Sequence, residues 1–166
     1  MILRALNDAD VDQIRQWPSY SGEMLQMDYA LRSQGWLDTF RGQPGVTLFA
    51  AVEGKELIGF TQLMRTGDAE AEFRIALRAD KTGQGWGAII ASLTLQQGFV
   101  ELGLCCIYLI VRKNHALAIR LYQRLGFTGC GECRKDIQGS VTDFLMMEKE
   151  CGRKLPVVAN QTRRTA

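Results

Sequence analysis

The chain reads as an α+β domain, a mixed sheet with helices packed on it, and three observations predict this. Strand-like runs with apolar–polar alternation or short apolar stretches recur from Ile2 to Glu148. Two mid-chain segments, Trp86 to Leu102 and Asn114 to Leu125, instead carry apolar residues at helical spacing. The resulting order, β–α–α–β–β–β–α–β–α–β–β, places consecutive strands beside crossover helices, so parallel and antiparallel pairs share one sheet.

Ile2 to Leu6 is a short first strand, and Asn7 or Asp8 caps a helix running to about Gln16. Trp17-Pro18 ends it, because proline removes a donor and restricts its predecessor. A second helix is expected over about Gly22 to Ser33, broken by Gly35, with a loop-like or partly helical stretch to Gly45. Val46–Val52 and Leu57–Met64 flank Glu53-Gly-Lys-Glu56 as a hairpin. Over Ala69–Arg78, Ala71, Phe73, Ile75 and Leu77 alternate with Glu70, Glu72, Arg74 and Arg78, the period of a strand. A helix from Trp86 to about Leu102 uses Ile89, Ile90, Leu93 and Val100, and Cys105–Val111 is a buried strand. The helix Asn114–Leu125 turns Leu117, Ala118, Leu121, Tyr122 and Leu125 inward, and Gly126 suits the left-handed position past its end. Cys130–Ile137 and Thr142–Glu148 make a last hairpin.

With 166 residues, 46% hydrophobic and 23% charged, the chain suits one domain over residues 1–150, followed by a tail, 151–166, expected to be mobile. No apolar run approaches the roughly 20 residues of a membrane span, and the first residues lack a signal-peptide layout, so a cytoplasmic protein without membrane partners is expected. A net charge of +2 is too small to argue for nucleic acid. Cys105 and Cys106 lie in an apolar run and are expected as small core residues. Cys130-Gly-Glu-Cys133 has half a zinc-site spacing, but no second pair follows and His115 is the only histidine, so no metal is expected.

The chemistry begins at Lys81-Thr-Gly-Gln-Gly-Trp-Gly-Ala88. Alternating glycines let backbone approach a ligand, and the helix start that follows presents unpaired N–H groups and partial positive charge. Together they make a cradle for a phosphate or pyrophosphate. A P-loop would need Gly-Lys-Ser/Thr where Trp86-Gly87-Ala88 stands. Gly83-x-Gly85-x-x-Ala88 matches a dinucleotide fingerprint in spacing only: Arg78-Ala-Asp-Lys-Thr separates it from its strand, and the next strand ends in Val111-Arg-Lys113 with no ribose-binding acid.

A second signature, Asn114-His-Ala-Leu-Ala-Ile-Arg-Leu-Tyr122-Gln-Arg-Leu-Gly126-Phe127, narrows the choice. Together the two signatures resemble the GNAT family, the N-acetyltransferases related to the Gcn5 enzyme. The family's pyrophosphate loop, Q/R-x-x-G-x-G/A, falls on Thr82-Gly83-Gln84-Gly85-Trp86-Gly87. Its following helix pattern, an Asn and then A-x-x-L-Y-x-x-x-G-F, is met by Asn114, Ala118, Leu121, Tyr122, Gly126 and Phe127. Thr82 departs from the usual Gln or Arg, so Lys81, Arg78 or Lys113 would supply the missing charge. The segments Tyr108–Asn114, Gly131-Glu-Cys133 and Gln138–Met147 look most like the spermidine and ribosomal-protein N-terminal branches.

The resemblance implies a mostly antiparallel sheet of about seven strands with about four helices, splayed between the fourth and fifth strands. It implies acetyl-CoA as co-substrate, held by Thr82, Gly83, Gln84, Gly85, Trp86, Gly87 and Ala88. The pantetheine arm would lie along Ile75, Ala76 and Leu77, on a strand that carries a bulge, with Asn114, Ala118 and Tyr122 on the other side. A backbone N–H of Ile75 to Leu77 would meet the oxyanion. Tyr122 is the expected general acid and Glu72 the expected base, with Glu70 the second choice, or no base at all for an amine already neutral. The acceptor pocket is expected between the first two helices and the last hairpin, lined by Trp17, Tyr20, Trp36 and Phe144, with Glu23 and Asp28 greeting a cationic amine.

The activity implied is acetyl transfer to a primary amine of a small molecule, polyamine- or amino-acid-like, by direct attack in a ternary complex. Three alternatives stand beside it: modification of a protein N-terminus or lysine, modification of an aminoacyl-tRNA, and an acetyl-CoA-binding regulator without turnover. Homodimers are compatible with each.

Overall fold

The computed structural model describes residues 1–31 and 33–152; the expected mobile tail lies outside them from residue 153 onward. Seven strands form one sheet: β1 (Ile2–Ala5), β2 (Val46–Glu53), β3 (Glu56–Arg65), β4 (Glu70–Leu77), β5 (Cys106–Arg112), β6 (Thr128–Ile137) and β7 (Ser140–Glu150). Their order across the sheet is β1-β2-β3-β4-β5-β7-β6. Every neighbouring pair is antiparallel except β4 and β5, which the chain joins through a crossover helix and which run parallel.

Four α-helices cover the faces: α1 (Asp8–Arg15), α2 (Trp36–Phe40), α3 (Trp86–Gln96) and α4 (Ala116–Arg124). Asn7 caps α1, accepting the Asp10 N–H while Asp10 accepts the Asn7 N–H, a reciprocal capping box. Between α1 and α2 the expected helix is a tighter 3-10 segment, Gly22–Ala30, ending earlier than the sequence pattern implied. Its one buried residue is Ala30, so little apolar burial holds it in α-helical form.

The alternation of β4 divides the core. Ala71, Phe73 and Ile75 face α3 and α4, joining Ala91, Leu95, Ile107, Leu109, Tyr122 and Phe127. Ala76 faces the other way, against Val11, Ile14, Trp36, Leu37 and Phe60. Gly59 lets α3 sit close on the sheet, since a Cβ there would lie 2.9 Å from Ile90 Cδ1 and 3.1 Å from the Ala76 carbonyl.

Three sequence expectations fail for local reasons. α4 begins at Ala116, so Leu117 points outward at 72% exposure and Ile119 packs inward instead. α3 buries Ile90, Ala91, Thr94 and Leu95 and leaves Ile89 exposed, and at Gln97–Glu101 it gives way to a π turn that shifts the later phase, burying Gly98 and exposing Val100. Cys105 and Cys106 are half-buried rather than core residues, Cys105 preceding β5 and Cys106 opening it, paired with Glu70 and Glu150 at the end of the ladders.

Candidate active site

Only three residue pairs join β4 to β5: Glu70 with Cys106, Ala71 with Ile107, and Glu72 with Tyr108. Beyond Glu72 the parallel strands part, and β5 pairs with β7 alone to Arg112, so a V opens in the sheet as the resemblance implies. The Arg78 N–H donates to the Ile58 carbonyl at 2.9 Å, which fixes the phase of the β3–β4 ladder. In that phase Ala76 directs both backbone groups to β3, whereas Ile75 and Leu77 direct theirs into the V. The N–H and C=O of Ala76 are therefore engaged within the sheet, and the backbone of Ile75 and Leu77 is what faces the V. β4 also lacks the expected bulge, its register with β3 being continuous; the register shifts lie at Ala51/Val52 and Gly129/Gly131. Of the groups facing the V, the Leu77 carbonyl accepts the Tyr20 hydroxyl.

At the end of β4 the chain makes a short turn, Ala79–Lys81, and reaches the glycine loop. Gly83 (φ 72°) and Gly85 (φ 85°) occupy left-handed backbone that other residues enter at a cost, and a Cβ on either would point into open space. Gly85 stands at the N-cap of α3 with no side-chain cap, and the first turn carries no acidic residue. The N–H groups of Trp86, Gly87 and Ala88 thus start the helix with no side chain satisfying them. Thr82 donates its hydroxyl to the Ala79 carbonyl at 2.8 Å, so it braces the loop, and Gln84 Nε2 does likewise to the Asp80 carbonyl at 2.8 Å. The compensating cations are all engaged: Arg78 with Asp80 and Glu56, Lys81 with Glu56, Lys113 with Glu132.

Tyr122 lies on the α3/α4 side, its ring edge-on to Phe73 (6.4 Å between centroids) and to Phe127 (5.8 Å). It is 9% exposed, and burial pushes its hydroxyl pKa well above the usual tyrosine value. Ala118 packs half-buried one turn before it. Asn114 sits exposed in the turn before α4, and the helix N-cap is His115, not Asn114.

Glu72 lies on the opposite face, at the fork itself, and is only 5% exposed. The Arg74 guanidinium pairs with its Oε1 at 3.0 Å through Nη2 and 3.2 Å through Nε, while stacking 4.8 Å above the Phe40 ring. Glu70, two pairs earlier, is exposed and accepts the Thr66 hydroxyl at 3.1 Å, away from the fork. Tyr29 of the 3-10 segment completes this side: burial raises its pKa, and the nearby Arg74 and Arg112 guanidinium groups oppose that rise. Arg112 Nη2 donates to the Gln26 carbonyl at 3.0 Å, tying the segment to the far arm of the V.

The residues expected on the acceptor side divide between the core and the neighbourhood of the V. Trp17 and Trp36 stack on Phe60 at 6.0 and 4.8 Å and belong to the core. Tyr20 and Phe144 are buried where the 3-10 segment and the last hairpin approach the V, Tyr20 on Leu77 and Phe144 under Arg112. Sequence reasoning missed Arg74, Tyr29 and Gln62. The last, directly opposite Arg74 on β3, has a completely buried amide. Alternation on β4 could have found Arg74; the other two depend on packing at a distance.

Among known families, the model described as the acetyltransferase (GNAT) family matches residues 9–127 of this chain. The chain belongs to that family. Its GNAT sequence is 40% identical, over 62 residues, to the spermidine N(1)-acetyltransferases of Escherichia coli K12 and O157:H7. That match spans 37% of this chain and only about a third, 33%, of those relatives. Among solved structures, a spermidine N-acetyltransferase chimera of Vibrio cholerae SpeG and hSSAT superposes with a TM-score of 0.75 at 25% identity, over 90% of this chain and 94% of that one. A dodecameric spermidine N-acetyltransferase from Vibrio cholerae gives 0.70 at 22%, over 90% and 92%, a likeness of fold.

Proposed function

We propose that this chain is an acetyl-CoA-dependent N-acetyltransferase of a small primary amine, polyamine-like before amino-acid-like, working by direct attack in a ternary complex. One observation carries the reading: the V opens immediately after Glu72 and Tyr108 and leaves the backbone of Ile75 facing a gap in the sheet. An amide-bearing arm fits such a gap as a strand would, and the uncapped start of α3 fits a diphosphate at the arm's far end. The spermidine acetyltransferases among the relatives favour a polyamine.

In this reading acetyl-CoA supplies an acetyl thioester in the V. The N–H groups of Gly83 to Ala88 bind its diphosphate, and the backbone of Ile75 and Leu77 orients its arm. An N–H of the same two residues stabilises the negative charge that develops on the carbonyl oxygen. Thr82 serves by holding the loop's shape. Glu72, on one face of β4, receives the proton an ammonium must lose before it can attack. Tyr122, on the other face, keeps its proton through neutral pH and offers it at the departing sulfur. Deprotonation and leaving-group protonation are thus assigned to opposite faces of one strand. Self-association belongs to the same reading, since β6 is an edge strand exposed along nearly all its length.

The test is a CoA-release assay across a panel of polyamines, amino acids, peptide N-termini and aminoacyl-tRNA. Release driven by spermidine or a related polyamine is expected; release by none of the panel would defeat the proposal. Among the described residues no helix is long and apolar enough to cross a membrane.

A further inference from the structure

Gln62 is 0% exposed, and both its Oε1 and Nε2 are buried without a hydrogen-bond partner among the described residues. Leaving a buried amide unsatisfied costs about 1–3 kcal/mol, so a fold that keeps one invites the question of what it serves. Its position answers. Gln62 is the direct cross-strand neighbour of Arg74, on the same face of the sheet, with Cα atoms about 5.5 Å apart in such a pair. Arg74 is the residue that occupies Glu72.

That occupation poses a chemical problem for the function proposed above, on which this inference rests. A cationic amine cannot use Glu72 while Arg74 holds its Oε1. Arg74 cannot simply let go, because a guanidinium only 17% exposed loses much of its compensation when stripped of its partner. It needs a second acceptor within reach of a small side-chain rotation. We propose that Gln62 is this acceptor, a positioning residue that takes an Arg74 N–H on its Oε1 when an ammonium group takes Glu72.

The exchange is balanced. One cation leaves the Glu72 carboxylate as another arrives, and Arg74 keeps the Phe40 ring beneath it throughout. Gln62 is neutral, so it receives the guanidinium without competing for the amine. An apolar residue at position 62 would offer Arg74 no oxygen and would leave it on Glu72. The arrangement therefore selects for acceptors that bring their own positive charge to the fork, and it disfavours neutral or anionic ones.

The test uses the full chain saturated with CoA, which cannot turn over, and spermidine as the probe, followed by calorimetry. Gln62→Met, close in volume, should weaken spermidine binding about tenfold, the loss of one hydrogen bond to a charged group, while CoA affinity stays within about twofold. Gln62→Glu should return spermidine affinity to within about threefold of wild type, because it still offers Arg74 an oxygen. Unchanged spermidine binding in Gln62→Met would overturn the inference, and so would parallel losses of CoA and spermidine, which mark a merely structural glutamine. Failure of the transferase reading itself shows separately, as wild-type protein that binds spermidine yet releases no CoA from acetyl-CoA.

Discussion

Tyr122 and Asp10 are both buried polar side chains, and they do opposite work. Tyr122 has its hydroxyl in an aromatic and aliphatic setting that no described residue neutralises, and burial keeps it in the acid form. Replacing it by Phe removes one oxygen and keeps the edge-on contacts with Phe73 and Phe127. Tyr122→Phe should therefore fold as wild type while the turnover number drops roughly ten- to a thousandfold, as for loss of a positioned acid. Steady-state kinetics beside a melting curve check both halves. Asp10 serves the fold: Arg4 grips both its oxygens at 2.6 and 2.7 Å, and the Asn7 N–H adds a third bond at 2.9 Å. The Arg4 hydrogen bonds, above all, hold its pKa below the ordinary carboxylate value, against the opposing effect of burial. Because the folded value is the lower one, this stabilisation is complete above the unfolded value of about 3.9 and is shed as pH falls through it toward the folded value. Asp10→Asn should cost about 1–2 kcal/mol at neutral pH, allowing for the solvent exposure of Arg4, and should flatten the acid limb of stability below about pH 4. Urea melts at two pH values measure this.

The loop and α3 show what one element contributes by backbone alone. Gly85 combines a left-handed φ of 85° with a helix start that no side chain caps. Gly85→Glu adds strain of about 1–2 kcal/mol and puts a carboxylate at the mouth of the cradle. Acetyl-CoA binding should be lost by calorimetry, and retained binding would mean that the cradle is not the diphosphate site. This element was legible in the sequence because its information is local: glycine spacing, a turn and an apolar helix pattern are all written in consecutive residues. The alternation of β4 was legible for the same reason, and with it the two faces on which Glu72 and Phe73 stand. Helix phase was less so. The π turn at Gln97–Glu101 displaces Val100 from the inner face through one extra residue per turn, and no residue type announces such a turn. Gln62 was illegible, because a strand glutamine acquires meaning only from its register with Arg74, and register is set by the whole sheet. The same applies to Trp17 and Trp36, which look like pocket aromatics in sequence and prove to be the packing around Phe60.

At the scale of the molecule, the sheet is two smaller sheets, β1 to β4 and β5 to β6, sharing the short β4–β5 seam and the helices laid across it. A ligand bound to the native state alone raises stability by about 2.7 kcal/mol at a hundredfold excess over its Kd. For a chain of this size that is a rise in Tm of about 5 to 11 °C with acetyl-CoA. No rise at saturation would remove the cofactor reading. The V has one more consequence. Its two flanks are stitched by three rungs, and in the proposed function the next would be made to the bound cofactor rather than to protein. On the proposed reading the cofactor would act as a temporary eighth strand, and the scaffold would be complete only while it is loaded. Amide exchange at Ile75 and Leu77 should slow on loading with acetyl-CoA and stay fast with a nucleotide fragment that lacks the arm. An enzyme built this way feels its cofactor as part of its own architecture.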